Sequence, residues 1–190
     1  MIISGFEGTS LNSRTEKLIS EQGIGGLILF ERNFENPQQL KRLIEDLQGA
    51  AEKNSPPLFI SADQEGGRVS RLKEPFTQFP PICCLGNANS DDLAYRFGFA
   101  MGNEMRAIGI NMDYAPVLDV HSNPENPIIG KRSISSDPEI VAKLGCQIIK
   151  GFKDAGIHPV GKHFPGHGDT SQDSHLTLPR VERTNESLEQ

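Results

Sequence analysis

Short apolar runs alternate with helical patterns along this chain, and the alternation limits what it can fold into. The apolar runs predict buried strands at residues 2–6, 26–30, 58–62, 110–115 and 158–164. Apolar spacing and capping residues predict helices at about 12–22, 37–47, 90–107 and 138–155, with another beginning at Thr184. Strands that alternate with helices over short connections form a parallel sheet covered by helices. The sequence therefore predicts an α/β fold, either a barrel or an open doubly wound sheet.

Polar clusters directly follow three of the predicted strands. They are Asp63-Gln64-Glu65-Gly66-Gly67-Arg68, Asp119-Val120-His121 and Lys162-His163-Phe164-Pro165-Gly166. In a parallel barrel the working groups lie at the carboxyl ends of the strands. We therefore expect these clusters to form one site, with the long connections at 66–89 and 121–136 as loops over it.

The length of the chain bounds the number of domains and of strands. The 190 residues suffice for one domain with a substantial core. A complete eight-stranded barrel takes about 250 residues, whereas only the strands listed above are predicted here. We therefore expect an incomplete barrel with an open sheet edge, which could pair with a second copy to form a dimer.

Charge and composition exclude several classes of partner. The formal net charge of −6 argues against a nucleic-acid surface, which would need a clustered basic stripe. No apolar stretch approaches the length of a membrane span, and the start of the chain lacks the pattern of a secretion signal. The three cysteines form no C-x-x-C pair, which is typical of free thiols in a reducing compartment. We expect a cytoplasmic protein whose partner is a small molecule.

The segment 161–175 is the richest in groups that could carry chemistry, with histidines, aspartates and a lysine close together. Asp173 and His175 lie two residues apart, so in an extended stretch their side chains point the same way. A carboxylate beside an imidazole stabilises its charged form, which suits proton transfer near neutral pH. An isolated D-x-H is more often a surface loop. The surrounding glycines and the Lys162-His163 pair at a strand end favour a functional site here.

Several separated motifs resemble those of glycoside hydrolase family 3. Lys162 to Gly168 followed by Asp173-Ser174-His175 is similar to the signature of the family's N-acetylglucosaminidases. Residues 63–69 resemble a second motif, and residues 26–30 with Arg32-Asn33 a third. The resemblance implies a TIM-type (β/α)8 barrel that needs no cofactor. It also implies hydrolysis of terminal β-linked N-acetylglucosamine with retention of configuration, in bacteria usually during recycling of peptidoglycan fragments.

The resemblance also implies roles for individual residues. His175 acts as general acid/base supported by Asp173, and the sugar-binding residues are Asp63, Arg71, Arg132, Lys162 and His163. These types suit a sugar, because hydroxyl groups both donate and accept hydrogen bonds. In the family the nucleophilic aspartate comes from a Ser-Asp pair on a later strand, and the 190 residues hold no matching position. We therefore expect domain 1–190 to stop before that strand and this chain alone to be inactive.

Other polar residues are given supporting roles. Asp119 is expected to line the site and Asp113 to be a buried, hydrogen-bonded acid, neither of them catalytic. We expect His167 and Asp169 to hold the shape of the loop, with Glu65 acting similarly. Cys83 and Cys84 are predicted to be packing residues.

Two other functions fit parts of the same pattern. The first is a metal-dependent hydrolase, whose nitrogen and oxygen ligands would come from His163, His167, Asp169, Asp173 and His175. We expect no metal, since Lys162 and the glycines have no role in such a site. The second is a non-catalytic sugar-binding protein or structural half-barrel. The sequence also leaves open whether phosphate rather than water accepts the glycosyl group.

Overall fold

The computed structural model of this chain describes residues 2–51, 56–172, 176 and 178. Strands and helices alternate along it, as predicted. The strands are β1 (Ile3–Gly5), β2 (Gly26–Leu29), β3 (Phe59–Ala62), β4 (Gln64–Gly66), β5 (Val69–Ser70), β6 (Met112–Asp113) and β7 (His158–Pro159). The helices are α1 (Ser13–Ser20), α2 (Pro37–Gly49), α3 (Cys83–Ala88), α4 (Asp91–Ala107) and α5 (Pro138–Asp154). Short 3₁₀ turns lie at Glu31–Asn33 and Gly130–Arg132.

The main sheet is parallel, and its strand order follows the chain. Its five strands are arranged β1-β2-β3-β6-β7, and every neighbouring pair is parallel. An open doubly wound sheet reverses its strand order at a switch point, and no reversal occurs here. The arrangement is that of the first strands of a TIM-type barrel. Within the described residues β1 and β7 are the outer strands, so this part of the barrel is open.

The core lies between the sheet and the helices. Leu27 and Ile60 are neighbours in the register of β2 and β3, and both are fully buried. Helices α2 and α5 supply their inward faces, which consist of Leu40, Leu43, Ile44, Leu47, Leu144, Ile148 and Phe152. Burial of these apolar side chains is the main contribution to the stability of a sheet that is covered by helices.

Helices α2 and α5 begin where their local sequence predicts. The side chains of Asn36 and Asp137 accept hydrogen bonds from the backbone N–H groups of Gln39 and Glu139. In each helix a proline occupies the following position, where its missing N–H group costs nothing. The predicted starts are therefore confirmed.

The strands that lead into the site are shorter than predicted. The run at 110–115 forms only β6, and the run at 158–164 forms only β7. Prolines 116 and 159 lie in or beside these runs and cannot donate to a sheet ladder. The two segments still run side by side, because an isolated parallel bridge joins Val117 to Lys162.

The connection at 66–89 is more ordered than a plain loop. Strands β4 and β5 form an antiparallel hairpin, and its turn uses Gly66 and Gly67 at φ 88° and 61°. A side chain at such positive φ values is strained, so glycine suits both positions. Helix α3 follows the hairpin and was not predicted.

The prediction that both adjacent cysteines pack in the interior is wrong for Cys84. Cys84 is exposed, whereas Cys83 is partly buried, and Cys146 is exposed as well. Cys83 and Cys84 are consecutive in α3, where neighbouring side chains point in different directions around the helix axis. All three thiols are free.

Two further sequence predictions concern the last helix and the absence of a membrane span. The helix predicted from Thr184 lies outside the described residues. Among the described helices, none has the length and apolar character to cross a membrane.

Candidate active site

A cleft of about 620 Å³ opens at the carboxyl ends of the strands, and its volume is typical of a small-molecule site. The side chains predicted to bind sugar all line it. Its lining consists of Ile28, Asp63, Glu65, Arg68, Val69, Arg71, Tyr114, Ile128, Arg132, Lys162, His163 and His167. Two of the three polar clusters, those that begin at Asp63 and at Lys162, therefore meet at this cleft as expected.

Asp63 is the first acidic group of the cleft and directly follows β3. One of its carboxylate oxygens accepts a hydrogen bond from Lys162 Nζ at 2.6 Å. The other oxygen lies 3.8 Å from a guanidinium nitrogen of Arg71. About a fifth of the Asp63 side chain stays exposed, since its relative accessibility is 22%. This carboxylate therefore faces the cleft with a cation on each side.

Glu65 is the second acidic group, and it is almost fully buried. Its carboxylate accepts two hydrogen bonds from Arg132, both 2.9 Å long, and one from Lys162 Nζ at 2.6 Å. Bidentate pairs of this kind fix both the distance and the plane of the guanidinium group. Although burial opposes the charge of Arg132, its bonds to Glu65 hold the pKa of the guanidinium above its ordinary value. Glu65 thus joins Arg132 to Lys162.

Glu65 is expected from the sequence only to help hold the shape of the loop, whereas the structure places it in the lining of the cleft. A signal for it exists in the sequence. Residues two apart on an extended segment project to the same side, so Asp63 and Glu65 could have been paired across Gln64. The sequence does not reveal the ion-pair partner of Glu65, because Arg132 lies 67 residues further along the chain.

Gln64 holds the hairpin that brings Arg71 to the cleft. Its side-chain oxygen accepts hydrogen bonds from the backbone N–H groups of Arg71 and Leu72, at 2.9 and 3.1 Å. The Arg71 guanidinium lies 5.8 Å from the centre of the Phe30 ring, within the range of a cation–π contact. The position of Arg71 is therefore fixed by the hydrogen bond of its backbone to Gln64 and by the ring of Phe30, which directly follows β2.

Two histidines, His163 and His167, form the other side of the cleft, and the buried carboxylate of Asp119 holds both of them. Asp119 Oδ2 lies 2.6 Å from His163 Nδ1 and accepts a hydrogen bond from the His163 backbone N–H at 3.2 Å. Its Oδ1 accepts from the His167 backbone N–H at 2.5 Å. Burial of Asp119 opposes its charged form, but the hydrogen bonds from His163 and His167 hold its pKa below its ordinary value. The expectation that Asp119 lines the site is wrong, because its side chain has no exposed surface and meets the cleft through His163 and His167.

His167 is buried and anchors the loop that leaves the cleft. Its Nδ1 lies 2.6 Å from the hydroxyl group of Thr170, and its carbonyl oxygen accepts a hydrogen bond from Asn126 at 2.6 Å. Asp169 accepts a hydrogen bond from Ser122 at 2.9 Å. These contacts agree with the predicted role of His167 and Asp169 in shaping the loop.

Asp113 lies beneath the cleft and is fully buried. Its Oδ1 accepts a hydrogen bond from the backbone N–H of Gln64 at 2.9 Å. Its Oδ2 has no hydrogen-bond partner among the described residues. Burial raises the pKa of this carboxyl well above its ordinary value. The predicted buried, hydrogen-bonded acid is confirmed.

Asp173 and His175, the predicted acid/base pair, lie outside the described residues. The loop that leads to them is described through Gln172. Of the residues considered as metal ligands, His163, His167 and Asp169 are described, whereas Asp173 and His175 are not. Within residues 2–51 and 56–172, no three histidine, cysteine, aspartate or glutamate side chains are grouped so as to hold a metal ion.

Comparison with known proteins identifies relatives over the whole chain. The model of the family described as "Glycosyl hydrolase family 3 N terminal domain" matches residues 3–190. Beta-hexosaminidase A of Pseudoalteromonas piscicida is 44% identical over 96% of this chain, which spans 31% of that protein. The beta-hexosaminidase of Alkalilimnicola ehrlichii is 41% identical over 99% of this chain, which spans 55% of that protein. The chain thus spans between 31% and 55% of the length of these relatives.

Solved structures agree with the sequence matches. A family 3 β-N-acetylglucosaminidase from Paenibacillus sp. superposes with a TM-score of 0.95 at 46% identity, and the match covers 98% of this chain and 36% of that one. NagZ from Neisseria gonorrhoeae superposes with a TM-score of 0.91 at 36% identity, over 99% of this chain and 56% of that one. The same protein has been solved in complex with N-trifluoroacetyl-D-glucosamine. On sequence and fold alike, the chain belongs to glycoside hydrolase family 3, as part of its N-terminal domain.

Proposed function

We propose that this chain forms the sugar-binding side of a retaining β-N-acetylglucosaminidase, and that the terminal N-acetylglucosamine of the substrate binds in the cleft. The observation that carries this function is the ion-pair network at the strand ends. Two carboxylates, Asp63 and Glu65, meet Lys162 at 2.6 Å each. Relatives named beta-hexosaminidases and a related structure with a glucosamine derivative support the same substrate class.

The network suits a sugar because it offers both kinds of hydrogen-bonding group. Asp63 can accept from a hydroxyl group, while Arg71 and Lys162 can donate to one. These donors are already held by carboxylates, so little side-chain freedom is lost when the sugar binds. Arg132 is held from behind by Glu65 with only 12% of its side chain exposed, so its position is fixed before the sugar arrives.

Catalysis in this proposal uses the loop that begins at His167. A retaining glycosidase needs an acid/base and a nucleophile on opposite sides of the anomeric carbon, about 5 Å apart. We assign the acid/base to His175, supported by Asp173. As imidazolium, His175 protonates the departing oxygen, and as neutral imidazole it takes a proton from the water that attacks the glycosyl-enzyme. The nucleophile is assigned to a later strand of the complete barrel.

We further propose that the natural substrates are peptidoglycan fragments and that the reaction takes place in the cytoplasm. The substrate assignment follows from the family resemblance of the loop motif at residues 162–168 and 173–175. The small number of cysteines, all of them free where described, is consistent with a reducing compartment.

Calorimetric titration of the purified chain with N-acetylglucosamine tests the binding function. We expect saturable binding that Asp63→Asn weakens by about tenfold or more, because a charged hydrogen bond contributes about 1.5–3 kcal/mol. Asp46→Asn, an exposed aspartate on α2, is the matched control and should bind as the wild type does. Equal affinity in both variants would contradict the assignment of the cleft.

Turnover tests the catalytic part separately. We expect the chain alone to release no p-nitrophenol from p-nitrophenyl N-acetyl-β-glucosaminide. In a longer chain that also carries the nucleophile, His175→Ala should lower turnover far more than it lowers sugar binding. Wild-type turnover in that variant would mean that another group is the acid/base, whereas sugar binding without turnover in every form would favour a non-catalytic sugar-binding protein.

A further inference from the structure

Asp119 is surrounded by N–H groups and is cut off from solvent. Its side chain has no exposed surface, and it is placed between the exit of β6 and the segment that follows β7. Three groups point at its two oxygens: the ring Nδ1 of His163 at 2.6 Å, the backbone N–H of His163 at 3.2 Å and that of His167 at 2.5 Å. A buried carboxylate is stable only when donors of this kind satisfy its oxygens.

The hydrogen bond to the ring of His163 determines which ring nitrogen carries the proton. A carboxylate can only accept, so Nδ1 must be the donor. In a neutral imidazole the other nitrogen, Nε2, then has a free lone pair and acts as an acceptor. His163 lines the cleft, and 35% of its side chain is exposed. Nε2 is therefore the ring atom available to a ligand.

We propose that Asp119 is a positioning residue that holds His163 in the Nδ1–H tautomer, so that Nε2 accepts a hydrogen bond from a sugar hydroxyl group. The second half of this role presupposes the sugar-binding function proposed above. The first half concerns the free protein and can be measured without any sugar. Asp119 itself touches no substrate.

Nε2 of His163 adds a hydrogen-bond acceptor that the neighbouring ion pairs do not supply. Arg71, Arg132 and Lys162 are donors at every pH of interest, and the acceptor Asp63 is already engaged by Lys162. A second acceptor on the opposite side of the cleft allows one hydroxyl group to be recognised as a donor there. The Nε2–H tautomer would instead add another donor to a site that is already rich in donors.

Asp119→Asn separates tautomer control from simple anchoring of the loop. The backbone N–H groups of His167 and His163 can only donate, to Oδ1 at 2.5 Å and to Oδ2 at 3.2 Å, so the shorter contact favours the amide oxygen of the asparagine on the His167 side. The amide NH₂ group then faces His163 Nδ1, which can accept only if it has lost its proton. The variant therefore keeps the size and the anchor at His167, loses the longer bond from the His163 backbone N–H, and reverses the tautomer, as when a buried carboxylate beside a histidine is replaced by an amide.

The experiment is long-range ¹H–¹⁵N correlation spectroscopy of the full chain, recorded at a pH at which the two ring-nitrogen shifts show a neutral imidazole. His163→Gln identifies the signals of His163. We expect the wild type to show Nδ1 protonated and Nε2 unprotonated, and Asp119→Asn to show the reverse. Asp169→Asn is the control from the same loop, since its carboxylate accepts from Ser122, and it should leave the His163 tautomer unchanged.

Titration with N-acetylglucosamine completes the test. We expect Asp119→Asn to bind the sugar about tenfold more weakly, the lower end of the effect seen when a partner that orients a histidine is removed. A wild-type His163 in the Nε2–H form overturns the role, even if the variant does not fold. A reversed tautomer with wild-type affinity overturns the acceptor role of Nε2. If the wild type binds no sugar while its tautomer is as expected, the sugar-binding function fails and the tautomer control by Asp119 stands.

Discussion

Glu65 holds Arg132 through both carboxylate oxygens, at 2.9 Å each, in a place where only 2% of the glutamate side chain is exposed. The same carboxylate lies 2.6 Å from Lys162 Nζ. One buried anion thus neutralises two cations that come from different strand–helix units of the barrel. The shape of the cleft depends on this contact, because Glu65 is the carboxylate partner of Arg132 in the described part of the chain, whereas Lys162 also meets Asp63 at 2.6 Å.

Glu65→Gln should lower both stability and sugar affinity. The amide keeps the size of the side chain but leaves the positive charges of Arg132 and Lys162 poorly compensated in a buried setting. Removing one partner of a buried pair costs about 3 kcal/mol, and we expect a loss of that order in the free energy of unfolding, measured by urea denaturation. Calorimetry should show weaker binding of N-acetylglucosamine.

Glu7→Gln is the matched control for this loss. Glu7 forms an ion pair with Arg32, but the two side chains are 79% and 43% exposed. Exposed pairs contribute less than about 1 kcal/mol, so this variant should unfold close to the wild type. If both variants lost equal stability, the burial of Glu65 would not be what makes its ion pairs matter.

Asp113→Asn should make the protein more stable as the pH rises above the unfolded-state pKa of about 3.9. In the folded protein burial raises the pKa of Asp113, so folding takes up a proton that the unfolded chain has released. The wild type therefore loses up to about 1.4 kcal/mol per pH unit relative to the variant, until the pH reaches the folded-state pKa. Below the unfolded-state pKa the two proteins differ little in proton binding. Urea denaturation across pH measures the difference, and a difference that shrinks with rising pH would contradict the raised pKa of Asp113.

Gly168→Ala should disrupt the loop beside His167. A Cβ atom at Gly168 would lie 1.7 Å from the carbonyl oxygen of Val120, so the backbone would have to move. We expect a loss of about 2 kcal/mol or more in unfolding free energy, as for other overpacked sites, together with weaker sugar binding. At Gly49 no atom lies within 4 Å of the position of a Cβ, and Gly49→Ala should be neutral or stabilising by up to about 1 kcal/mol. Equal stability of the two alanine variants would show that the loop is not held against Val120.

The parts of the fold that depend on neighbouring residues follow from the sequence. Asn36-Pro37 and Asp137-Pro138 mark helix starts because the capping side chain and its N–H partner lie within a few residues of each other. The alternation of elements also predicts the parallel sheet. It does not distinguish a barrel from a doubly wound sheet, because that choice depends on strand order.

The cleft could be predicted in its location and in several of the residues that line it, but not in its internal contacts. Asp63 and Lys162 were expected there because both follow strands. The bonds that organise the cleft join residues far apart, Glu65 with Arg132 across 67 positions and Asp119 with His163 across 44. No local pattern encodes such pairs. They require the register of the sheet to be known first.

Chemical-shift mapping of the chain with N-acetylglucosamine tests the central claim most directly. The sugar should perturb the amide signals of residues 63–71, 130–133 and 162–167, which surround the cleft, and the perturbations should saturate in the millimolar range or below. Signals at the opposite ends of the strands, such as those of residues 22–25, should not move. Perturbations confined to that opposite end, or none at all at millimolar sugar, would contradict the assignment of the cleft as the sugar site.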